Sequence, residues 1–182
     1  MSGLHVVVGA GGLGRAVATD LVSRGERVRL VSRSGGAAPA GVEYGRADAT
    51  NPTELDEALA AASVVYQCAQ PTYTRWAEEF AQLQTGILEA TIRQGADLVI
   101  ADNLYMYGDP DGAVITETSP QNPTTKKGRV RKAMADAALE AHRDGRLRVA
   151  ISRPSDYFGP GHDQSSRATF GNAVRGKAMQ FF

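Results

Sequence analysis

The clearest chemistry in this sequence lies in VVVGAGGLGRAV at 6–17, where Gly9, Gly11 and Gly14 satisfy G-x-G-x-x-G. In such a loop the first glycine permits a tight turn, the second lets the backbone approach a pyrophosphate, and the third lets the following helix pack close to a sheet. The helix start adds free N–H groups and a partial positive charge suited to an anion. Gly9, Gly11, Gly12, Leu13 and Gly14 are therefore expected to hold the phosphates of a dinucleotide. About 20 residues past such a loop, a carboxylate commonly holds a ribose 2′-hydroxyl. Here the chain carries Ser32, Arg33 and Ser34 instead. A guanidinium with two hydroxyls suits a 2′-phosphate, so NADP(H) is expected ahead of NAD(H).

A second concentration of charge is the run Lys126, Lys127, Arg129, Arg131 and Lys132. At the start of a helix it opposes the macrodipole, so it either meets an anionic ligand or forms a solvated face paired with Asp136 or Glu140. Cys68 reads as a packed small side chain, because no neighbouring group would stabilise its thiolate.

These residues need elements to position them. Short apolar runs alternate with longer helical patterns, the signature of βαβ units and a parallel sheet. Strands are expected at 4–8, 27–32, 42–45, 63–67, 97–101 and 148–152. Leu13, Val17, Leu21 and Val22 recur at helical spacing and stop before Gly25. A helix over about 73–94 would carry Trp76, Phe80, Leu83, Ile87 and Thr91 on one stripe, and one over 126–143 would carry Val130, Met134, Ala137 and Ala141. The polar stretch 108–125 reads as a loop. The expectation is one domain over 1–182, an α/β Rossmann-type doubly wound parallel sheet of strand order 3-2-1-4-5-6 with helices on both faces.

Composition excludes several classes. The chain has 182 residues, is 42% hydrophobic, and balances 20 basic against 20 acidic side chains. That fits one core-forming domain with no field to draw nucleic acid or an anionic membrane. A small-molecule substrate is the expected partner. The single cysteine forms no internal disulfide, and His5, His142 and His162 have no metal-ligand spacing. With no signal peptide or membrane span in the apolar start, a cytoplasmic location is expected.

Several blocks in order resemble the extended and atypical short-chain dehydrogenase/reductases, including the NAD-dependent epimerases and dehydratases. They are GAGGLG at 9–14, RADAT at 46–50, CAQP at 68–71, NLYMYGDP at 103–110, TETSPQNP at 116–123 and RPSDYFGPG at 153–161. The resemblance implies that Asp48 and Ala49 border the adenine and that Cys68, Ala69 and Gln70 pass the cofactor ribose and phosphates. It also implies that Pro154 and Ser155 approach the nicotinamide.

The catalytic positions depart from that family. Its substrate-binding Ser or Thr becomes Asn103, and its proton-transfer Tyr and following Lys become Lys127 and Arg131. On this reading Lys127 moves the proton, Asn103 holds the substrate oxygen and Arg131 binds the nicotinamide ribose. Tyr105 would face the same side as Asn103 if the segment is extended. The resemblance also implies a substrate lobe that is largely missing here, so that either the chain is truncated or a second chain completes the pocket. The apolar Met179, Phe181 and Phe182 would then favour self-association. Two readings follow: an NADP(H)-dependent oxidoreductase or epimerase with a rearranged catalytic set, acting on a small carbonyl, hydroxyl or sugar-type substrate, or an inactive NADP(H)-binding sensor of NmrA-like type.

Overall fold

Residues 3–155, 157, 161 and 170–178 are described by the computed structural model. Met179, Phe181 and Phe182 lie outside them, as do His162 and Asp156, Phe158, Gly159 and Pro160 of the RPSDYFGPG block. The strands are β1 (Leu4–Val8), β2 (Arg27–Ser32), β3 (Glu43–Arg46), β4 (Ala62–Gln67), β5 (Asp97–Ala101) and β6 (Val149–Ser152). Helices α1 (Gly12–Ser23), α2 (Pro52–Ala58), α3 (Trp76–Gln94) and α4 (Lys126–Arg143) connect them, and a short α5 (Asn172–Val174) follows. The sheet is parallel throughout, in the order β3-β2-β1-β4-β5-β6. This is the expected Rossmann order, with the strand sequence reversing between β1 and β4.

β1 reads LHVVV, near-continuously apolar, because it lies at the centre and is covered on both faces. Its side chains divide two cores. Val6 and Val8 face Leu55 of α2, Ile87 of α3 and Ala138 of α4, while Val7 joins Val28, Leu30 and Ala18 of α1. Helices thus cover both faces, α1 on one and α2, α3 and α4 on the other.

Some elements differ from expectation. The segment expected as helix from 73 opens with a 3-10 turn, Tyr73–Arg75, before α3. Along α4 the buried side chains are Arg131, Met134, Ala135, Ala138 and Ala141, whereas Ala137 is exposed. The stripe is rotated because it admits a buried arginine, which a purely apolar pattern passes over. Helix α2 is too short for hydrophobic periodicity to reveal. Its signal is the cap: Asn51 Oδ1 accepts from the N–H groups of Thr53 at 3.1 Å and Glu54 at 3.4 Å, with Pro52 at the first helical position.

Phe80 ties α3 to α4, packing with Trp76 and Met134 at 1% exposure. Phe80→Ala is expected to lower unfolding free energy by about 3–5 kcal/mol in urea titration. A loss below about 1 kcal/mol would show that this contact does not hold the helix pair.

Candidate active site at the carboxyl edge of the sheet

The carboxyl ends of β1, β4, β5 and β6 share one edge of the parallel sheet. Gly9 takes φ +114°, a left-handed conformation that favours glycine, and its N–H donates to the Val31 carbonyl at 2.7 Å. A Cβ on Gly9 would lie 2.5 Å from the Ala69 nitrogen, and one on Gly14 would lie 1.8 Å from the Gly9 carbonyl oxygen. The turn after β1, the start of α1 and the chain leaving β4 are therefore in backbone contact. Cys68 N–H donates to the Val8 carbonyl at 2.9 Å, continuing the ladder into that contact.

Gly11 differs from its neighbours: a Cβ there would meet nothing within 4 Å among the described residues. It is the N-cap of α1, no side chain caps the helix, and the first turn has no acid. Among the described residues, then, no side chain caps the first N–H groups of α1 and no acid in its first turn offsets its positive end field. A Cβ on Gly12 would meet the Gly161 carbonyl oxygen at 2.7 Å, a contact between the loop and the chain after β6 that the glycine spacing does not announce.

Beside this turn, Ser32 hydrogen-bonds the Tyr44 hydroxyl, and Arg33 and Ser34 are exposed. Arg46 Nε donates to the Arg33 carbonyl at 3.2 Å. The N–H and hydroxyl of Thr50 hold the Asp48 carboxyl below its ordinary range, burial opposes them, and Arg33 adds a further lowering. Arg33 therefore already has a carboxylate in its field. Ala49 comes within contact of α3, where a Cβ on Gly86 would lie 2.3 Å from its carbonyl oxygen. Burial pushes the Cys68 thiol up to about 12, so it stays protonated and un-nucleophilic at neutral pH. Pro154 is half-buried and Ser155 exposed.

The second half of the edge is built around Asp102, directly after β5. Its N–H donates to the Ser152 carbonyl at 2.8 Å, and its carboxylate pairs with Arg131 Nε at 2.8 Å and Arg153 Nε at 3.2 Å. The Asp102 and Arg131 side chains are each 4% exposed. Burial pushes the Asp102 carboxyl up while Arg131, the Asn103 N–H and Arg153 pull it down; burial likewise pushes Arg131 down against Asp102. The Arg131 guanidinium lies 4.6 Å from the Phe80 ring centroid and 5.1 Å from that of Trp76, and donates to the Ala101 carbonyl at 3.3 Å. Arg153 donates to the buried Tyr107 hydroxyl at 3.0 Å. The expected role of Arg131 at a ribose is thus met by an internal commitment: its charge faces Asp102. Neither Asp102 nor Arg153 stood out in the sequence, since a single carboxylate next to a strand end carries no spacing signal.

Three more members of the basic run have contacts within the chain. Lys132 pairs with Asp136 at 2.7 Å, and Arg129 donates to the Thr124 carbonyl at 3.0 Å. Lys127 lies with its ammonium 3.0 Å from the Tyr73 ring centroid. Thr125 caps α4, accepting from Gly128 N–H at 3.0 Å, and a Cβ on Gly128 would lie 2.4 Å from the Tyr105 carbonyl oxygen. That close approach brings the 103–107 turn against the start of α4.

The segment after Asn103 is a turn, not the extended chain that would set Tyr105 and Asn103 on one side. Asn103 Oδ1 accepts from Tyr105 N–H at 3.1 Å and Tyr107 N–H donates to the Leu104 carbonyl at 3.1 Å, closing the chain on itself. Tyr105 instead meets Tyr73, with hydroxyls 3.5 Å apart, and Trp76, with ring centroids 6.0 Å apart. Tyr73 was not among the expected site residues. Its signal was its place, six residues beyond the end of β4 on the edge that carries the other candidates. Among the described residues no three His, Cys, Asp or Glu side chains are grouped to hold a metal ion, and no helix is long and apolar enough to cross a membrane.

An open parallel sheet with an uncapped glycine turn at its strand-order reversal defines a dinucleotide-binding Rossmann architecture. The chain belongs to the NAD dependent epimerase/dehydratase family, whose model matches residues 5–179. No curated protein matches it. Among solved structures, DesIV, a dTDP-glucose 4,6-dehydratase from Streptomyces venezuelae with NAD bound, superposes with TM-score 0.83 at 18% identity, over 97% of this chain and 63% of that one. UDP-glucose 4-epimerase from Thermus thermophilus, complexed with NAD, gives TM-score 0.76 at 21% identity over 97% of this chain and 64% of that one. MoeE5 with UDP-glucose and NAD gives TM-score 0.75 at 25% identity over 96% of this chain and 62% of that one. The chain therefore spans less than two thirds of the length of each of these structures.

The Asp102 cluster gives a direct test. Asp102→Asn leaves two guanidiniums at a buried site without their anion and is expected to cost about 3–5 kcal/mol of stability, read by denaturant unfolding. Arg131→Met, which keeps an apolar stem against Trp76 and Phe80, is expected to cost less. Equal stability of Asp102→Asn and the parent would contradict a charged carboxylate at this position.

Proposed function

We propose that this chain binds a nicotinamide dinucleotide across the carboxyl edge of its sheet and uses it in an oxidoreductase, epimerase or dehydratase reaction on a hydroxyl-bearing, sugar-type substrate. The observation that carries this reading is the turn after β1. Gly9 and Gly14 allow backbones to touch, while the start of α1 at Gly11 has no side-chain cap and leaves its donor groups for an anion. The residues present fit the cofactor: Gly11, Gly12 and Leu13 would meet the pyrophosphate, Asp48 and Ala49 the adenine end, and Ala69 and Gln70 the chain beyond it. When bound, the nicotinamide supplies a two-electron acceptor or donor next to the substrate carbon. The chain's part is to orient, exclude water and move a proton.

For the form of the cofactor the reading takes NAD(H), in place of the NADP(H) that Arg33 first indicates. The similar structures named above were solved with NAD. The Asp48 carboxylate in the field of Arg33 gives that guanidinium a counter-charge within the chain. A 2′-phosphate would have to compete with it.

Of the expected catalytic residues, Asn103 keeps its amide nitrogen available to a substrate oxygen while its carbonyl oxygen is held by Tyr105 N–H. Arg131 acts as a positioning residue, fixing Asp102 beneath Asn103. The sensor reading draws on one observation, a lysine where the family has its tyrosine, and separates from the enzyme reading by binding without turnover.

Calorimetric titration tests the proposal. NADH is expected to bind at least as tightly as NADPH, and a tenfold preference for NADPH would restore Arg33 as a phosphate ligand. Gly11→Asp places a carboxylate at an open N-cap position, so the fold gains a few tenths of a kcal/mol. The same charge repels a pyrophosphate, and NADH affinity is expected to fall by about 100-fold or more. Unchanged NADH affinity in Gly11→Asp would remove the glycine turn from the binding site.

A further inference from the structure

We propose that the proton-transfer group of this site is the phenol of Tyr73, with Lys127 as the cation that stabilises its phenolate and Tyr105 as the hydroxyl that hydrogen-bonds to it. This rests on the reading of the chain as a dinucleotide-dependent enzyme, and it moves the role first assigned to Lys127 onto a different element.

Three elements place this group. The 3-10 turn Tyr73–Arg75 follows β4, the turn holding Tyr105 follows β5, and Lys127 sits in the first turn of α4, so all three side chains come from the sheet's carboxyl edge. Trp76 supports the arrangement: its ring lies edge-on to Tyr73 at 5.2 Å and 6.0 Å from Tyr105, and is itself packed on Phe80 at 5.1 Å. The Tyr73 side of the group is open, with Tyr73 52% exposed and Tyr105 38% exposed, so a substrate hydroxyl can reach the phenol. The Lys127 ammonium is 3.0 Å from the Tyr73 ring centroid, and the two hydroxyls are 3.5 Å apart.

The charges around Tyr73 favour its ionised form. Facing it are the ammonium of Lys127 from α4 and the hydroxyl of Tyr105 from the β5–α4 connection; Arg131, behind Trp76, has its charge met by Asp102. On its own element, Arg75 is paired with Glu79 at 2.6 Å. Tyr105 first, and Lys127 with it, hold the Tyr73 phenol below the ordinary tyrosine range, burial opposing. Tyr66 and Tyr157 go the opposite way: burial raises Tyr66 and pushes Tyr157 up to about 12. A lysine ammonium by itself has no proton-accepting capacity while charged. A phenolate beside it does, and the ammonium remains to hold the negative charge.

In the oxidising direction the substrate alcohol loses one C–H and one O–H bond. A bound oxidised nicotinamide would accept the hydride and be reduced, and the Tyr73 phenolate would take the proton, leaving a carbonyl. In the reducing direction the Tyr73 phenol returns the proton to the carbonyl oxygen. Tyr73 then exchanges its proton with solvent through Tyr105 or its own open side.

The experiment combines phenolate absorbance titration of the full-length protein with turnover of UDP-glucose in the presence of NAD. One of the six tyrosines is expected to ionise at lower pH than the rest. That step should vanish in Tyr73→Phe, which keeps the ring against Lys127, and move to higher pH in Lys127→Met and in Tyr105→Phe. Tyr73→Phe should lower turnover by about 100-fold or more with NADH affinity unchanged. Tyr105→Phe should shift the pH–rate limb in the same direction as the absorbance step. All tyrosines ionising together, or Tyr73→Phe turning over within threefold of the parent, would overturn the assignment while leaving the enzyme reading intact. A parent protein that binds NADH but turns over nothing would defeat the enzyme reading itself, and the relay with it.

Discussion

The contact on which the candidate site depends is the meeting of three backbones at the point where strand order reverses. The turn after β1, the start of α1 and the chain leaving β4 approach so closely that a single Cβ on Gly9 or Gly14 would overlap backbone atoms. This contact sets the start of α1 against the sheet at the carboxyl edge. It also brings Cys68 and Ala69 beside the loop, which explains why small residues follow β4. A parallel sheet places all its strand exits on one side, so the same edge gathers the residues after β4, β5 and β6. The geometry of that edge is a property of backbone topology before any polar side chain is considered.

The other half of the edge is organised by buried charge. Asp102 binds Arg131 of α4 and Arg153 beyond β6, fastening a helix and two strand ends to one carboxylate. Such a cluster is costly to desolvate and is retained only when each partner is in place, so it fixes the register of α4 against β5. Register in turn decides which side chain of the first turn of α4 faces the edge. With Gly128 admitting the Tyr105 carbonyl, that side chain is Lys127, over the ring of Tyr73. A positively charged helix start, unfavourable by its dipole alone, is thus accommodated by Asp102, Asp136 and an aromatic ring.

Periodicity and glycine spacing carried the strands, the two long helices, the sheet order and the glycine turn after β1, because those features leave a pattern along the chain. The same signals could not find α2, whose seven residues are too few for a stripe and whose evidence is the Asn51 cap. Nor could they find Tyr73, Asp102 or Arg153, which become neighbours of the candidate residues only when β4, β5 and β6 align. Tyr105 shows the opposite error: an extended segment was a reasonable continuation of β5, but Asn103 folds the chain into an Asx turn and redirects the side chain. The expectation at Arg33 rests on the absence of an acid nearby in sequence; the fold adds the Asp48 carboxylate just past β3, whose range Arg33 lowers slightly.

The central claim is that a dinucleotide lies across the turn after β1 and the chain leaving β4. Amide-resolved NMR during titration with NADH observes that contact directly. The account predicts the largest shifts at Gly11, Gly12 and Leu13, with a second set at Ala69 and Gln70. Saturable shifts confined to residues elsewhere, with these amides unmoved, would contradict it.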